Sequence, residues 1–486
     1  MFNRRQFLED SILATTAALA CSTELAAAKE PVQPRKGPNE RLAIAVIGVG
    51  IKGPVHAHGF AARGDCDVVA ICDADIDRAQ RVATKMSELQ GREVPAYQDL
   101  RKIIDDPSID CVSIATCNHW HALAAIWAMQ AGKDVYVEKP VSHNISEGRR
   151  MVQAARKYGR ICQVGTQYRS EGTCQAAGRF LAEGKLGKVT LARSLTYKGR
   201  QGIGGVVQGK PPASVDYNLW AGPAPMSPII RKRFHYDWHW FWETGNGESG
   251  NSDVHRVDLA RFALGVDKLP RAVMSYGGRV GFGDSGQTPN TQVAIHDFGD
   301  VTLVQEIRAL PSPRFRIPGG TVIAGSEGYV SMAAGSSAHF DPDGKLVEKF
   351  SGRTEDFIAA HFANFVEAVY SRDRDHLNAE LFGGHLSAGI CHLGNISYQL
   401  GQQAAPQEII DQLASHKLLD DSQETFERTR KHLADNGAGI ENTQLTLGPW
   451  LQFDPEKEQF VGNAAADAML TREYRQPFVV PSESEV

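Results

Sequence analysis

A glycine-rich turn is the first group of residues with a definable chemistry. The apolar run 42–47 leads directly into Gly48-Val49-Gly50-Ile51-Lys52-Gly53, where a helical pattern begins. Gly48 permits the tight turn, Gly50 lets the backbone approach a pyrophosphate, and Gly53 lets the helix pack on the strand. The amino end of the helix then presents N–H donors and a positive dipole to the phosphates. The pattern predicts a dinucleotide site.

An acidic residue at the end of the next apolar run specifies the dinucleotide. The run 68–72 ends in Asp73, 25 residues after Gly48. A carboxylate at this place accepts hydrogen bonds from the adenine ribose hydroxyls and repels a 2′-phosphate. Asp75 adds negative charge, and the nearest following arginine is Arg78. We therefore expect NAD rather than NADP, with Gly48, Gly50, Ile51, Lys52, Gly53 and Asp73 among the residues that bind it.

Polar residues also follow three later apolar runs, at 111–115, 134–137 and 161–164. Helical segments separate these runs, so the alternation predicts a parallel sheet with right-handed crossovers. The carboxyl ends of its strands face the ligand, and the residues just past them should meet in one crevice. The further cofactor-binding candidates at these ends are Thr116, Asn118, His121, Glu138, Lys139 and Gln167.

Lys139 and His255 are the candidates for acid–base chemistry. A lysine close to a cationic nicotinamide loses part of its proton affinity, so Lys139 can help to take a hydroxyl proton as hydride leaves carbon. Asn251 and His255 are four residues apart and share one face of a helix. Asn251 cannot act as a base, because an amide does not carry a charge. We assign His255 as the main general acid/base, Lys139 as its support and Asn251 as a substrate-binding residue.

These residues lie in motifs that resemble the Gfo/Idh/MocA oxidoreductases, a family that includes glucose–fructose oxidoreductase and the inositol dehydrogenases. The resemblance spans about residues 40–400. Its further motifs are TCNHWHA at 116–122, EKP at 138–140, VGTQYRS at 164–170, DYNLWAGPAP at 216–225, FWETGNGESGNSDVHRVDLARFALG at 241–265 and HFANFVEAV at 361–369.

The resemblance implies roles for several of these residues. Lys139 would contact both the sugar hydroxyl being oxidised and the nicotinamide ribose, and the loop at 116–122 would touch the nicotinamide. The family carries an aspartate four residues before the His or Tyr that corresponds to His255, and Asn251 departs from that pattern. Tyr168 and Arg169 are candidates for substrate binding, although Arg169 suits the seam between domains equally well.

The implied fold is α/β: an N-terminal Rossmann-type parallel sheet and a C-terminal α+β domain with an open, mostly antiparallel sheet. Turn-bounded runs rich in β-branched residues predict that second sheet independently. In the family, one of its faces packs on helices and the other serves homo-oligomers. We expect the NAD-binding domain at 41–167, the substrate and oligomerisation domain at 168–400 and a helical extension at 401–486.

The first 28 residues have the order of an export signal. Arg4 and Arg5 precede a short apolar region, and small residues close the segment at Ala28. The arginine pair indicates the twin-arginine route, which carries folded proteins, so we expect a periplasmic or otherwise exported protein. Residues 29–40 would then form a linker.

Composition excludes several other classes of protein. The 486 residues suggest two or three domains at ~150 residues each. A net charge of −5 argues against nucleic acid as a partner, and no apolar run reaches the ~18 residues that a membrane span needs. Cysteine and histidine spacings show no metal motif, so we predict none.

Three functions remain open at this stage. The first is an NAD-dependent dehydrogenase that acts on a hydroxyl of a sugar, polyol or sugar derivative. The second is a redox-neutral glycosidase or lyase that keeps NAD bound throughout, which export favours because free NAD is scarce outside the cytoplasm. The third is a non-catalytic sugar- or nucleotide-binding module, suggested by Asn251.

Overall fold

The structure, a computed structural model, describes residues 40–312, 319–416, 422–439 and 444–486. The predicted signal and nearly all of the predicted linker therefore lie outside the described residues. Two sheets organise the described part of the chain: a parallel sheet of six strands and a mixed sheet of twelve. The predicted fold class is confirmed.

The strands are β1 Leu42–Ile47, β2 Cys66–Cys72, β3 Ala96–Tyr97, β4 Cys111–Ile114, β5 Asp134–Val137, β6 Cys162–Val164, β7 Val189–Tyr197, β8 Ala272–Gly278, β9 Thr291–Asp297, β10 Thr302–Arg308, β11 Gly319–Gly325, β12 Gly328–Met332, β13 Ala338–Phe340, β14 Leu346–Lys349, β15 Gln402–Ala404, β16 Leu445–Leu447, β17 Leu451–Asp454 and β18 Gln459–Phe460. The α-helices are α1 Gly53–Ala61, α2 Ile76–Gln90, α3 Arg101–Ile104, α4 Asn118–Gln130, α5 Ile145–Lys157, α6 Gly172–Ala182, α7 Tyr217–Ala221, α8 Val254–Leu264, α9 Phe357–Ser371, α10 Leu381–Gln399, α11 Pro406–Ser415, α12 Ser422–Asp435 and α13 Ala464–Ala468.

The first sheet has the strand order β3-β2-β1-β4-β5-β6, and every neighbouring pair is parallel. Helices on both faces bury its strands, which explains why their sequences are apolar runs rather than alternating patterns. The strand order reverses between β1 and β4. At such a switch point the loops that leave neighbouring strands diverge and open a crevice for a ligand.

The second sheet runs in the order β14-β13-β12-β11-β7-β10-β9-β8-β16-β15, and β17 also pairs with β8. The β7–β10 pair is parallel and the other pairings are antiparallel. Helices α8 and α10 pack on one face. They carry buried Val257 and Ile390 into a cluster with Val273 and Ile323 of the sheet.

The C-terminal extension is more than the helical segment predicted from sequence. It adds β15, β16, β17 and β18, and its helices α11 and α12 bury Leu413 and Phe426 against Tyr276 and Val304. These sheet residues lie on the face opposite α8, the face that the resemblance assigned to oligomers. Part of that face is therefore covered by the same chain. Oligomerisation stays a prediction.

Helix α9 shows that the domain boundaries are not simple cuts in sequence. It falls within the predicted second domain, at 168–400, yet it packs on the first sheet's side of the molecule. Its Phe362 and Phe365 are fully buried beside Phe60 of α1. The chain thus returns to the first domain after the second sheet, which ties the two domains together around the cleft between them.

Candidate active site

A cavity of about 520 Å³ lies between the two domains. Its first wall is made by the carboxyl ends of β1, β2, β4 and β5, as expected for a parallel sheet. Its second wall is made by residues after β7, by the segment around 219–239 and by the start of α8. Of the residues predicted to form the site, those that line it are Gly48, Gly50, Ile51, Lys52, Asp73, Thr116, Asn118, His121, Glu138, Lys139, Tyr168, Asn251 and His255.

The glycine turn has the shape that a pyrophosphate requires. Gly48 has a φ of +84°, and a Cβ there would lie 2.6 Å from the backbone nitrogen of Thr116. A Cβ on Gly53 would lie 2.0 Å from the carbonyl oxygen of Gly48, so helix and turn are in contact. Around Gly50 the nearest atom to such a Cβ is 3.6 Å away, on Arg78. Its backbone therefore faces open cavity, and the turn fits a dinucleotide.

Asp73 stands at the adenosine end of the cavity. Its Oδ2 accepts a hydrogen bond from the backbone N–H of Val49 at 2.7 Å, and Oδ1 accepts one from Asp75 at 2.9 Å. Burial outweighs these bonds and raises the pKa of Asp73. The carboxylate braces the glycine turn while its edge lines the cavity. Arg78 approaches Asp75 at 3.6 Å, which partly neutralises this end.

Glu138 accepts several hydrogen bonds in a buried network at the end of the cavity opposite Asp73. His56 Nε2 donates to its Oε1 at 3.2 Å, and Gln167 Nε2 donates to the same oxygen at 2.9 Å. Burial opposes ionisation of Glu138, but the hydrogen bond from His56 and the nearby cations Lys52 and Lys139 outweigh it and lower its pKa. Gln167 does not line the cavity. Its amide holds Glu138 in place, and its predicted contact with the cofactor stays a prediction.

Lys139 is held across the domain boundary. Its Nζ donates a hydrogen bond to the backbone carbonyl of Asn251, and the Lys139–Pro140 peptide bond is cis. Asn251 lies in a single π-helical turn, Ser249–Asp253, directly before α8. Turns of this kind occur often at functional sites. Burial and the neighbouring Lys52 lower the pKa of Lys139, against the opposing effect of Glu138.

His255 enters the cavity from the first turn of α8. Its ring lies 5.1 Å from that of Tyr168, and its Nδ1 is buried without a hydrogen-bond partner among the described residues. Burial and the charge of Lys139 lower the pKa of His255 well below its ordinary value. The imidazole is thus neutral near pH 7, the form that accepts a proton. Tyr168 supplies a flat wall beside it.

Asp253 anchors this part of α8 to the second sheet. Its carboxylate accepts hydrogen bonds from Ser194 at 2.6 Å, Thr196 at 2.7 Å and Gln305 at 2.9 Å. It is fully buried and points away from the cavity. On a helix, a residue two places from His255 points to a different face. Asp253 therefore does not supply the carboxylate that the family pattern has at the position of Asn251.

The loop before α4 joins the two walls. Asn118 Nδ2 donates to Asn246 Oδ1 at 2.9 Å. His121 lies between the carbonyl oxygens of Pro140 at 2.7 Å and Thr116 at 3.1 Å, and burial lowers its pKa. A neutral ring donates to one of them, so His121 holds the turn after β5 against the turn after β4. Asn118 and His121 each reach the cavity as well.

The structure corrects the prediction that Arg169 binds the substrate. It is absent from the cavity wall, and its guanidinium carbon lies 3.9 Å from the centroid of the Phe262 ring of α8. Burial lowers its pKa. The neighbouring Tyr168 points into the cavity, and in the short 3₁₀ turn Gln167–Ser170 successive side chains diverge. Arg169 thus belongs to the seam between domains, the alternative that the sequence left open.

On the second wall, the sequence analysis did not predict the described cations Lys198, Arg200 and Arg256. Lys198 and Arg200 directly follow β7, and Arg256 follows His255 in α8. A cue for the first two was present, since they come after a strand end, as the predicted residues do. That cue is weak in a mostly antiparallel sheet, because its strand ends alternate in direction.

The adenosine end is covered by residues 214–239, which we call the cover segment. The backbone N–H of Ile76 donates to the Ser214 carbonyl at 3.1 Å, and that of Asp216 donates to the Ala74 carbonyl at 2.9 Å. His235 Nε2 approaches Asp75 at 3.0 Å. Aromatic side chains of the segment, Trp220 and Trp238, line the cavity from above.

The described ranges contain no metal site, disulfide or membrane-spanning helix. There, no group of three or more His, Cys, Asp or Glu residues is arranged to hold a metal ion. The seven cysteines placed by the structure are all free thiols. No helix among the placed residues is long and apolar enough to cross a membrane.

Comparison with known proteins follows the two domains. Residues 42–166 match the family model described as "Oxidoreductase family, NAD-binding Rossmann fold", and residues 186–275 match "Oxidoreductase family, C-terminal alpha/beta domain". Both models are those of the Gfo/Idh/MocA family.

Two curated relatives are named dehydrogenases. The levoglucosan dehydrogenase of Pseudarthrobacter phenanthrenivorans is 28% identical over 49% of this chain and 54% of its own. The myo-inositol 2-dehydrogenase of Thermotoga maritima is 30% identical over 31% of this chain and 44% of its own. The chain spans about half the length of the curated relatives it matches.

A solved structure supports the fold at lower identity. The WlbA dehydrogenase of Bordetella pertussis, determined in complex with NADH and UDP-GlcNAcA, superposes with a TM-score of 0.54 at 19% identity, over 73% of this chain and 96% of its own. Both family models are matched, in order, along one chain whose cavity joins their two domains. Residues 42–166 and 186–275 thus each match a model of the Gfo/Idh/MocA family of oxidoreductases.

Proposed function

We propose that this protein is an NAD-dependent oxidoreductase that acts on a hydroxyl group of a sugar, polyol or sugar derivative. One observation carries the proposal: Lys139 of the first domain and His255 of the second line the same cavity as the glycine turn and Asp73. A cofactor extended from Asp73 toward Glu138 would bring its reactive ring to these two side chains. The names of the curated relatives support the substrate class.

The glycine turn, Asp73 and the loop at 116–121 would hold the cofactor. Gly50 offers open backbone at the pyrophosphate position, and Asp73 presents a carboxylate edge to the ribose hydroxyls. Bound NAD supplies the acceptor for the hydride that leaves the oxidised carbon. A 2′-phosphate would meet the carboxylates of Asp73 and Asp75, so NAD is favoured over NADP despite Arg78 nearby.

His255 accepts the proton of the substrate hydroxyl, and Lys139 stabilises the oxygen that loses it. As the substrate's C–H hydrogen leaves as hydride, its O–H proton passes to the neutral imidazole of His255 and the C–O bond becomes a carbonyl. Lys139 donates a hydrogen bond to the same oxygen and stabilises the negative charge that develops on it. Asn251, with its side chain half-buried at the wall, orients a neighbouring hydroxyl.

The test is formation of reduced nicotinamide with excess NAD and a panel of sugars, polyols and glycosides. We expect absorbance that grows with added NAD for at least one compound, and a loss of about 10²–10⁴-fold in kcat/KM for His255→Asn. Absence of reaction with every compound, together with unchanged ligand binding by His255→Asn, would favour the non-catalytic binding module.

A second candidate is a redox-neutral glycosidase or lyase with permanently bound NAD. The cover segment favours it, because its backbone hydrogen bonds with Ala74 and Ile76 hold it over the adenosine end of the cavity. The test is the nicotinamide content of protein purified without added NAD. Near-stoichiometric NAD with product but no net reduction supports this candidate. Nucleotide-free protein that turns over added NAD contradicts it.

We also propose export by the twin-arginine route and assembly into a homo-oligomer. The arginine pair at 4–5 and the small residues that end at Ala28 support export. The measurement is the amino-terminal sequence of protein recovered from the periplasm, with Arg4→Lys/Arg5→Lys as the variant that should block its appearance there. For the oligomer, the measurement is the mass in solution.

A further inference from the structure

A histidine of the second wall, His239, lines the cavity but has no part in the proposed reaction. It is the last residue of the cover segment and lies in the short 3₁₀ turn Asp237–Trp240. Its ring stacks on that of Trp238, with the ring centroids 3.6 Å apart and the planes inclined by 19°. The aromatic neighbour therefore restricts the orientation of the imidazole.

The backbone around His239 is also held in place. Thr244 Oγ1 donates a hydrogen bond to the carbonyl of Trp238 at 2.9 Å. A Cβ on Gly245 would lie only 2.4 Å from the carbonyl oxygen of His239, so the chain packs closely there. Together with the stacked ring, these contacts give the imidazole a defined place in the wall.

A hydrogen bond to Tyr236 fixes the tautomer of His239. Nδ1 lies 2.5 Å from the carbonyl oxygen of Tyr236, which can only accept, so Nδ1 carries the ring hydrogen and donates it. Burial, aided by the charge of Lys139 and opposed by the bond to Tyr236, lowers the pKa of His239 to about 4. The ring is thus neutral near pH 7. A neutral imidazole has one N–H, so Nε2 presents a lone pair and accepts hydrogen bonds.

The Nε2 atom of His239 is left for a ligand. It has no hydrogen-bond partner among the described residues, yet it is not one of the unpaired polar atoms that the protein encloses completely. Because the side chain lines the cavity, Nε2 is the polar atom that it can present there. An acceptor with a fixed tautomer and a fixed ring is suited to the recognition of a hydrogen-bond donor.

His239 acts in the same space as the proposed acid–base pair. The charge of Lys139 helps to lower the pKa of both His239 and His255, so both imidazoles lie within electrostatic reach of one ammonium group. A sugar or polyol carries hydroxyls on several neighbouring carbons. A molecule that places one of them at Lys139 and His255 therefore has others to present to His239.

We propose that His239 determines specificity: its Nε2 accepts a hydrogen bond from a second hydroxyl of the substrate, while the reacting hydroxyl meets Lys139 and His255. The substrate class is then a polyol or sugar with at least two free hydroxyls. This inference rests on the proposed function for the reacting hydroxyl, whereas the acceptor rests on the contacts of His239. A site built to bond a hydroxyl rejects an analogue that lacks it, because its acceptor is then left unpaired.

The test removes one donor at a time from the ligand. D-glucose, myo-inositol and the derivatives of each in which a single hydroxyl is replaced by fluorine are titrated calorimetrically into the NADH-loaded protein. Fluorine does not donate a hydrogen bond, so only the derivative's donor at that carbon is lost. We expect at least one derivative of a parent compound to bind about tenfold more weakly than the parent, the effect of one hydrogen bond.

Variants assign one such hydroxyl to His239. His239→Asn keeps an amide near the position of Nδ1 but has no acceptor at that of Nε2. It should raise the Kd of the parent compound about tenfold and leave the Kd of the derivative that lacks the contacting hydroxyl within about twofold. His239→Gln places an amide oxygen near the position of Nε2 and should bring the Kd of the parent to within about threefold of that of the unmodified protein.

His416→Asn is the matched control. His416 stacks on Trp450, with ring centroids 4.1 Å apart, much as His239 stacks on Trp238, but it lies outside the cavity. The control variant should change neither Kd. A merely structural role of His239 gives another pattern: His239→Asn would raise the Kd of every derivative alike, and His239→Gln would not restore binding. That pattern overturns the inference.

The outcomes separate this inference from the proposed function. Compounds that show the expected coupling to His239 but never reduce NAD support the inference and contradict the dehydrogenase. Where NAD is reduced, His239→Asn should raise KM about tenfold and leave kcat within about threefold. Oxidation with an unchanged KM in this variant overturns the inference and leaves the dehydrogenase standing. Failure of both parent compounds to bind also overturns the inference.

Discussion

The two halves of the cavity are built by different means. The cofactor half depends on backbone: a left-handed Gly48, the open peptide at Gly50 and the ends of parallel strands. The substrate half depends on side chains delivered by a π-helical turn, a helix start and the residues after β7. The backbone half is specified by glycines whose added Cβ atoms would collide with neighbours. The substrate half depends on the charge and protonation of its side chains.

At the proposed reaction centre the two halves meet through the hydrogen bond from Lys139 to the Asn251 carbonyl. It joins the strand-end turn of the first domain to the π-helical turn of the second. Cofactor binding and proton transfer, which depend on unrelated sequence features, are thereby brought to one place. Changes on either side of this contact should affect different steps, and that separation can be tested.

The largest expected effect comes from Lys139→Met. Without the ammonium group, the charge on the substrate oxygen is not stabilised, so we expect kcat/KM to fall about 10³-fold. The Kd for NAD should stay within threefold, because the glycine turn and Asp73 are unchanged. Steady-state kinetics and calorimetry with NAD give the two values. A loss of NAD affinity as large as the loss of turnover would show that the halves are not separable.

Gly48→Ala should weaken NAD binding without changing the side chains of the substrate half. Its Cβ would lie 2.6 Å from Thr116 backbone, so we expect the turn to shift and NAD affinity to fall about 10²-fold, which corresponds to about 2.7 kcal/mol. Gly132→Ala is the matched control, because Gly132 has a φ of +82° but open space around it. It should cost about 1–2 kcal/mol in stability and leave NAD binding intact. Equal effects of both variants on the Kd would mean that backbone strain, and not the shape of the turn, is responsible.

The pH dependence of kcat/KM should report the protonation of the side chains in the substrate half. His255 must be neutral to accept a proton. Because its pKa lies well below the ordinary 6.5, kcat/KM should fall only at a pH well below 6.5. Lys139 must be protonated to stabilise the oxygen, and its pKa lies below 10.5, so the alkaline fall should begin before that value. The variant His255→Asn should lack the acidic fall. Its persistence there would assign the base to another group.

Asn251→Asp should have the smallest effect and tests the departure from the family pattern. A carboxylate one helical turn before His255 would favour the imidazolium, so the acidic fall in kcat/KM should move up by about one pH unit. At pH 8, where the imidazole is neutral in both proteins, kcat/KM should differ by less than about threefold. A gain of several orders of magnitude at pH 8 would mean that Asn251 had disabled the site.

The sequence predicted the cofactor half in detail because its signals are local. Gly48, Gly53 and Asp73 are constrained by backbone geometry within one βαβ unit, and the predicted strands there agree with the observed ones to within about two residues. His255 and Asn251 both line the cavity, and the sequence grouped them because residues four apart on a helix share one face.

The substrate half was predicted less completely because its partners are distant in sequence. The cavity position of Lys198 follows from the parallel β7–β10 pairing, which no local pattern reveals. Arg169 and Gln167 were assigned from their place after β6, yet their contacts with Phe262 and Glu138 are tertiary. The strands of the C-terminal extension were missed because β15, β16 and β18 are only two or three residues long.

The most direct test of the account is the fate of the hydrogen on the oxidised carbon. A sugar from the panel, deuterated at its hydroxyl-bearing carbons, is mixed with the protein and NAD, and the nicotinamide is analysed by mass spectrometry and NMR. The account predicts one deuterium at C4 of the nicotinamide with the unmodified protein and almost none with Lys139→Met. A compound converted to product with no deuterium on the nicotinamide, bound or free, would contradict it.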